Sequence, residues 1–275
     1  MVVVASTLVT SFGVVAARQP RLTDVTLTAA DLPAAFAGFR IALITDVHAG
    51  PGVSQAFVDR LVDQVNAARP DLIVIAGDLV EQTVARTGST LDALSRLEAP
   101  YGTVVTTGNH EFLSGDVDAW LARWRAQGLT VLDNSGLQLT RAGVSIDVLG
   151  IDDAQGGGAH APDLRAAAAQ LAATFGTPGD GAGRFRVLVA HEPRQASADD
   201  DLAARLGVDV QLSGHTHGGQ LWPFGYAVRL QQPVIAGVQT VGGVTVVTSR
   251  GAGTWGPPVR VLADPEVVLV TLRPA

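Results

Sequence analysis

The stretch Ser213-Gly214-His215-Thr216-His217-Gly218-Gly219-Gln220 is where this sequence first offers chemistry. It follows an apolar run, residues 208–212, that reads as a short buried strand. Two imidazoles are thus presented from the loop at a strand's C-terminal end, where open α/β sheets place their reactive groups. Histidines at i and i+2 cannot share a helix face, but from a tight loop they reach adjacent points of one site. A metal pair is the natural occupant. The arrangement recurs along the chain, because apolar strands also deliver Asp46 and His48, then Asp78, then Asn109 with His110, and later His191. Five of the six histidines stand in such positions, which a solvated surface would not produce. The set mixes carboxylate and amide oxygen with imidazole nitrogen and contains no sulfur, so it suits Mn²⁺, Fe or Zn²⁺. One carboxylate can bridge two such ions. A pair ~3.5 to 4 Å apart clamps the attacking and leaving oxygens of an in-line displacement at phosphorus and acidifies a bridging water.

The elements that must hold these groups can be read in order. Residues 22–28 alternate apolar and polar, as an edge or half-buried strand does. Residues 39–45 form a strong strand ending at Asp46-Val47-His48, and Ser54 caps a helix carrying Phe57, Val58, Leu61, Val62 and Val65. Residues 71–76 repeat the plan and end at Gly77-Asp78, before a helix with Leu91, Leu94 and Leu97. Residues 101–107 lead into Gly108-Asn109-His110-Glu111 and a helix with Trp120, Leu121 and Trp124. Short strands follow at 130–132, 137–140 and 144–150, then a Gly-rich loop at 152–162, an alanine-rich helix at 163–175 and a turn-rich linker at 176–183. A strand at 185–190 delivers His191, a helix runs to Leu206, and strands near 234–239, 244–248 and 266–272 close the chain. The rhythm predicts a parallel core with antiparallel hairpins near the C-terminus.

The chain has 275 residues, 47% of them hydrophobic, and reads as one domain, 21–275, behind an apolar segment, 1–20. It contains no cysteine, which excludes disulfides and thiolate metal sites. All 19 basic residues are arginine, which excludes Schiff-base lysine chemistry and the lysine-bearing phosphate loop. A formal net charge of -7 disfavours binding to a nucleic-acid duplex and leaves bound cations to supply positive charge toward a phosphate. Residues 1–17 are almost wholly apolar or small and are followed by Arg18 and Arg21. As a helix they would span roughly 25 Å, short of a ~30 Å hydrocarbon core, and they lack the basic start of a signal peptide. The segment is read as standing outside the fold, as a membrane anchor, signal remnant or truncated transmembrane helix. That reading puts the protein at the cell membrane or envelope, on an undetermined side.

Taken together, Asp46-X-His48, Gly77-Asp78, Gly108-Asn109-His110-Glu111, His191 and Gly214-His215-X-His217 resemble the five-block signature of the calcineurin-like metallophosphoesterases. The resemblance runs from about residue 39 to residue 272 and implies an α/β fold, a four-layer α/β/β/α sandwich of two mixed sheets with metals at the strand ends. It implies two divalent metal ions (Mn, Zn or Fe). Asp46, His48 and His217 would hold the first, Asn109, His191 and His215 the second, and Asp78 would bridge both. His110 would face the substrate, stabilising the phosphoryl oxygens or protonating the leaving alkoxide, while Glu111 orients its neighbours. The implied reaction is hydrolysis of a phosphodiester or pyrophosphate, rather than a monoester, by a metal-bridging hydroxide. Gly218-Gly219-Gln220, Gly150-Ile151-Asp152-Asp153 and residues 249–260 are similar to a bacterial membrane-linked or exported branch. Its relatives include envelope phosphodiesterases and a UDP-2,3-diacylglucosamine hydrolase, so the implied substrate is an envelope lipid or a nucleotide-linked lipid. The alternative is a non-catalytic metal-binding scaffold that recruits a protein partner.

Other residues are read more plainly. His160 sits in the Gly-rich loop and is taken as solvated, Arg250 and Arg260 as surface arginines rather than phosphate ligands, and Asp152 and Asp153 as turn formers. Trp222, Phe224 and Tyr226 could stack a base, hold an acyl chain or close a core edge.

Overall fold

The computed structural model describes residues 2–176 and 184–275, so the linker read at 176–183 lies almost wholly outside the described residues. The strands are β1 (Arg21–Ala29), β2 (Arg40–Ile44), β3 (Leu72–Ala76), β4 (Thr103–Thr106), β5 (Thr130–Val131) and β6 (Ser135–Arg141). They continue with β7 (Val144–Gly150), β8 (Arg186–Val189), β9 (Val210–Ser213), β10 (Gly237–Val241), β11 (Val244–Thr248) and β12 (Glu266–Pro274). Two six-stranded sheets result, ordered β1-β12-β2-β3-β4-β5 and β10-β11-β9-β8-β7-β6. Both are mixed. The β12–β2, β6–β7 and β10–β11 pairs are antiparallel, while β2, β3 and β4 run parallel in one sheet and β7, β8, β9 and β11 in the other.

Strand alternation explains the layers. In β2, Ile41 and Leu43 point between the sheets, where Phe39, Val74, Val148, Val187, Leu212 and Val270 join them in one core. Ala42 and Ile44 point the other way, against Phe57, Val58, Leu61 and Val62 of the helix Gln55–Ala67 and against Trp120 and Trp124 of the helix Val117–Ala126. On the second sheet Leu149, Leu188 and Val246 pack outward on Leu164, Ala167 and Leu171 of the helix Leu164–Phe175. Both faces of the central strands are therefore buried, which is why they read as continuous apolar runs. The order is helix, sheet, sheet, helix.

Three elements differ from the sequence reading. The leucines near 91–97 form a 3-10 helix, Gly88–Arg96, with Leu97 beyond it. The expected strand at 234–239 is displaced to Gly237–Val241. Approaching Leu206, a 3-10 turn (Pro193–Ser197) precedes Ala198–Arg205, where Asp199, Asp200 and Asp201 are left-handed. The N-terminal helix Val2–Ala16 is not detached from the body, because Gly13 O accepts a hydrogen bond from Arg260 N at 3.1 Å and Ala17 is buried. No helix among the described residues is long and apolar enough to cross a membrane.

Candidate metal centre

In-register parallel pairing aligns the strand ends. Ile44 pairs with Ile75, Ala76 with Thr106, and Val189 with Leu212. The loops that follow β2, β3 and β4 bring Asp46, His48, Asp78, Asn109 and His110 to one edge of the first sheet. Those after β8 and β9 bring His191, His215 and His217 to the facing edge of the second.

The predicted residues meet as two donor sets. In the first, His48 Nε2 and His217 Nε2 are 2.9 Å apart, with Asp46 Oδ1 at 3.3 Å from His217 Nε2 and 3.9 Å from His48 Nε2. In the second, Asp78 Oδ2 is 3.1 Å from His191 Nε2, Asn109 Oδ1 is 3.0 Å from His215 Nδ1, and Asp78, His191 and His215 converge. Asp78 Oδ2 also lies 3.7 Å from His48 Nε2, so one oxygen faces both sets. Ligands ~2.0 to 2.2 Å from a shared ion are themselves ~3 to 3.5 Å apart, and this spacing fits. Charge fits as well. Asp46 and Asp78 are buried, and among the described residues their ion-pair contacts are all with histidines, with no arginine at ion-pair distance. Burial alone would push the Asp78 carboxyl up, but His191, His48 and His110 override it and hold it well below the usual carboxylate range.

The backbone is bent to present these donors. Asp46, His48, Asp78, His215 and His217 all have φ between 51° and 69°, the left-handed region that costs a non-glycine residue of order 1 kcal/mol or more. Close approach is enforced by glycine: a Cβ on Gly214 would come within 2.3 Å of Asp46 Oδ2, and one on Gly108 within 2.3 Å of Asp78 Oδ1. Glu111 locks the turn by accepting from the backbone N–H groups of Asp78, Leu79 and Gly108 at 2.9, 2.8 and 2.6 Å. Burial, then the charge of Asp78, pushes its carboxyl up to about 8. His191 Nδ1 lies 2.7 Å from Ala76 O, which can only accept, so Nδ1 carries a proton and Nε2 is the nitrogen turned toward Asp78.

Sequence reading missed Glu81. Its Oε1 lies 2.7 Å from His48 Nδ1, an oblique approach, and its Oε2 lies 3.2 Å from His110 Nδ1. Burial would raise this carboxyl, but the two imidazoles draw it down to about 2. The His110 imidazole is raised in turn, because Glu81 and Asp78 outweigh the opposing effect of burial. The available signal was position: Glu81 follows Asp78 by three residues, in the same loop, after two apolar residues.

Three plainer readings are corrected. Arg260 is 1% exposed, not a surface arginine; its guanidinium donates to the carbonyls of His217, Gly251, Gly253 and Ala263, and Nη2 lies 3.2 Å from His217 Nδ1. Asp152 and Asp153 are fully buried, with Asp152 Oδ1 accepting from Thr107 Oγ1 at 2.7 Å, so they brace the loop behind Asn109 rather than merely turn the chain. His160 is not solvated but stands among Asp118, Asp133 and Asp152 at 3.2 to 3.5 Å. Arg250 pairs with Glu266 at 2.8 Å. Trp222, Phe224 and Tyr226 are exposed and close no core edge. A cavity of about 610 Å³ opens onto His48, Asp78, Asn109, His110, His215 and His217, with Phe224 and Trp255 in its far wall.

Residues 39–219 match the family model for calcineurin-like phosphoesterases, a span that contains every residue of both donor sets. The chain belongs to that family. It is 33% identical over 237 residues to an uncharacterized metallophosphoesterase of Campylobacter jejuni, covering 85% of this chain and 59% of that protein. It is 31% identical over 264 residues to a zebrafish transmembrane protein with metallophosphoesterase domain, covering 94% of this chain and 59% of that one. The chain therefore spans about three fifths of these relatives' length. In fold it is similar to a sulfate thiohydrolase, SoxB, from Thermus thermophilus, with a TM-score of 0.50 at 13% identity over 88% of this chain and 57% of that one.

Proposed function

We propose that this chain is a metal-dependent phosphoesterase with two divalent ions, held as the sequence implied: Asp46, His48 and His217 on one, Asn109, His191 and His215 on the other, and Asp78 between them. The observation that carries this reading is the pair of donor sets meeting at Asp78 Oδ2 on the floor of an open cavity. When bound, such ions supply Lewis acidity toward phosphoryl oxygens and a hydroxide nucleophile near neutral pH, and an oxygen and nitrogen donor set accepts Mn, Zn or Fe.

The protein's own groups do the rest. Asp78 fixes the distance between the two sets. Asn109 contributes a neutral oxygen, leaving its ion more electrophilic than a carboxylate would. Glu81 holds His110 by Nδ1, leaving Nε2 to give a proton to the departing oxygen. Among the described residues no arginine lines the cavity, which suits a singly charged diester better than a doubly charged monoester. The apolar far wall supports a lipid-linked phosphoester over a simple nucleotide. The apolar surface of the helix Val2–Ala16, with Val4, Leu8 and Phe12 exposed, supports association with a membrane surface.

The test is hydrolysis of bis(4-nitrophenyl) phosphate by the full chain, stripped of metal and then given Mn²⁺, Zn²⁺ or Fe²⁺. Turnover should require metal and fall more than 100-fold in Asp78→Asn, on the order of 3 kcal/mol of transition-state stabilisation. Undiminished turnover in that variant would refute the assignment.

A further inference from the structure

We infer that the cavity beside the metal centre binds an unbranched apolar chain attached to the phosphoester, so that the substrate is an amphiphile recognised by its chain and not by a sugar or a base. The inference rests on the phosphoesterase reading for its reaction, but its argument comes from the cavity wall.

Away from the metal-centre residues, the wall is formed by Leu113, Leu221, Phe224, Ala227, Val228 and Trp255. Four polar side chains also line it, and three have their hydrogen-bonding groups committed inside the protein. Gln220 donates through Nε2 to Trp255 O and Pro257 O, and its Oε1 accepts from Trp255 N. Gln232 donates to Glu192 Oε2 at 2.6 Å and accepts from Arg194 N at 3.1 Å. Thr216 Oγ1 donates to Ile235 O at 2.5 Å. Gln231 and the indole N–H of Trp255 remain. A ribose or hexose placed here would lose water from several hydroxyls and find few side-chain partners, a loss that binding cannot recover. Among the described residues no charged side chain lines the wall beyond the metal centre, so a second phosphate finds no partner there either. A hydrocarbon chain loses nothing and gains the burial of each methylene. At about 610 Å³ the space falls within the usual range for a small-molecule site.

A second observation concerns access. Phe224 and Trp255, both in the cavity lining, are 53% and 52% exposed, and Trp222 and Tyr226, two residues either side of Phe224, are exposed as well, an aromatic composition that suits the boundary between water and lipid. Trp222 N donates to Val261 O, and the preceding residue, Arg260, is the one that holds Gly13 of the apolar N-terminal helix. The exposed Trp222 segment and that helix are thus both tied to residues 260–261. In the reaction, water's oxygen forms a new bond to phosphorus, one P–O ester bond breaks, and the departing oxygen takes up a proton, while the chain stays in the cavity.

The test uses the full chain with metal and a series of 4-nitrophenyl alkyl phosphodiesters, methyl, butyl, octyl and dodecyl, below their micellar concentrations. KM should fall by up to about fourfold per added methylene over the first several carbons and then level as the space fills. Val228→Asn and Phe224→Ser should flatten that dependence. A parallel measurement needs no turnover: octylphosphonate should shift the tryptophan emission at far lower concentration than methylphosphonate, and Trp255→Phe should reduce the change. Offering the dodecyl ester within phosphatidylcholine vesicles separates the sources, because a higher rate there than on monomers assigns a bilayer and a lower one a soluble amphiphile. A KM independent of chain length, with metal-dependent hydrolysis of the methyl ester intact, would overturn this inference and leave the phosphoesterase reading standing. Chain-dependent phosphonate binding without hydrolysis of any ester would do the reverse.

Discussion

Replacing Glu81 with glutamine tests the site at a carboxylate whose two oxygens face two different imidazoles. In the native protein each oxygen serves one ring, Oε1 toward His48 Nδ1 at 2.7 Å and Oε2 toward His110 Nδ1 at 3.2 Å. Glutamine keeps one oxygen and turns the other into an NH₂ group, so one imidazole N–H must face a donor. A well-aligned hydrogen bond to a charged partner is worth about 1.5 to 3 kcal/mol, and the approach to His48 is oblique. The Glu81 side chain is 29% exposed, so water recovers part of the loss and the lower figure applies, about a tenfold effect. Which quantity falls depends on which ring keeps the oxygen. If His48 keeps it, metal affinity holds and kcat drops through His110; if His110 keeps it, metal affinity drops through His48. The assay therefore pairs a metal titration, read by calorimetry, with kcat at saturating metal. The product of the two losses should reach about tenfold. Both quantities within twofold of wild type would show that Glu81 is a bystander.

Three shorter predictions follow. Gly214→Ala should weaken metal binding at least about tenfold, because its Cβ would stand 2.3 Å from Asp46 Oδ2 and must displace it; unchanged affinity in a titration would show that the loop yields freely. Arg260→Met strands carbonyls of His217, Gly251, Gly253 and Ala263 and should cost on the order of 3 kcal/mol in denaturant unfolding, whereas a loss under about 1 kcal/mol would mean that water replaces the guanidinium. Burial and then a shared hydrogen bond with Asp133 push Asp152 up to about 7, so the folded protein binds a proton there that the unfolded chain releases near its ordinary value. Stability from this group is complete below about pH 4 and is lost as pH rises through about 7. Asp152→Asn should therefore flatten the decline in melting temperature between pH 5 and 8, and an unaltered slope would refute the assignment.

The strand ends were legible because β2, β3, β4, β8 and β9 are buried on both faces, and an acid, amide or imidazole after such a run has few structural reasons to be there. Ser54 was legible as a helix cap for the same kind of local reason, and it accepts the expected backbone bond. Glu81 was not, since nothing in a Leu-Val-Glu-Gln stretch says that the glutamate turns toward two rings brought from other loops. Arg260 shows the converse limit. An arginine near prolines reads as surface, and its burial is set by four carbonyls that only the closed fold collects. The left-handed backbone at Asp46, His48, Asp78, His215 and His217 was equally silent, because in each case the strain is imposed by packing between loops rather than by a local glycine.

The division of the donors between the sheets has a consequence for how the protein matures. A growing chain that has emerged through β7 already owns Asp46, His48, Asp78 and Asn109, yet neither proposed ion has its full set of donors, because His191, His215 and His217 are still to be made. Capture of the cations is thereby postponed until β8 and β9 have docked on β7, and from then on each bound ion spans two loops that would otherwise part when the sheets separate. On the proposed assignment, metal would act as a latch that cannot close until strands of both sheets have met.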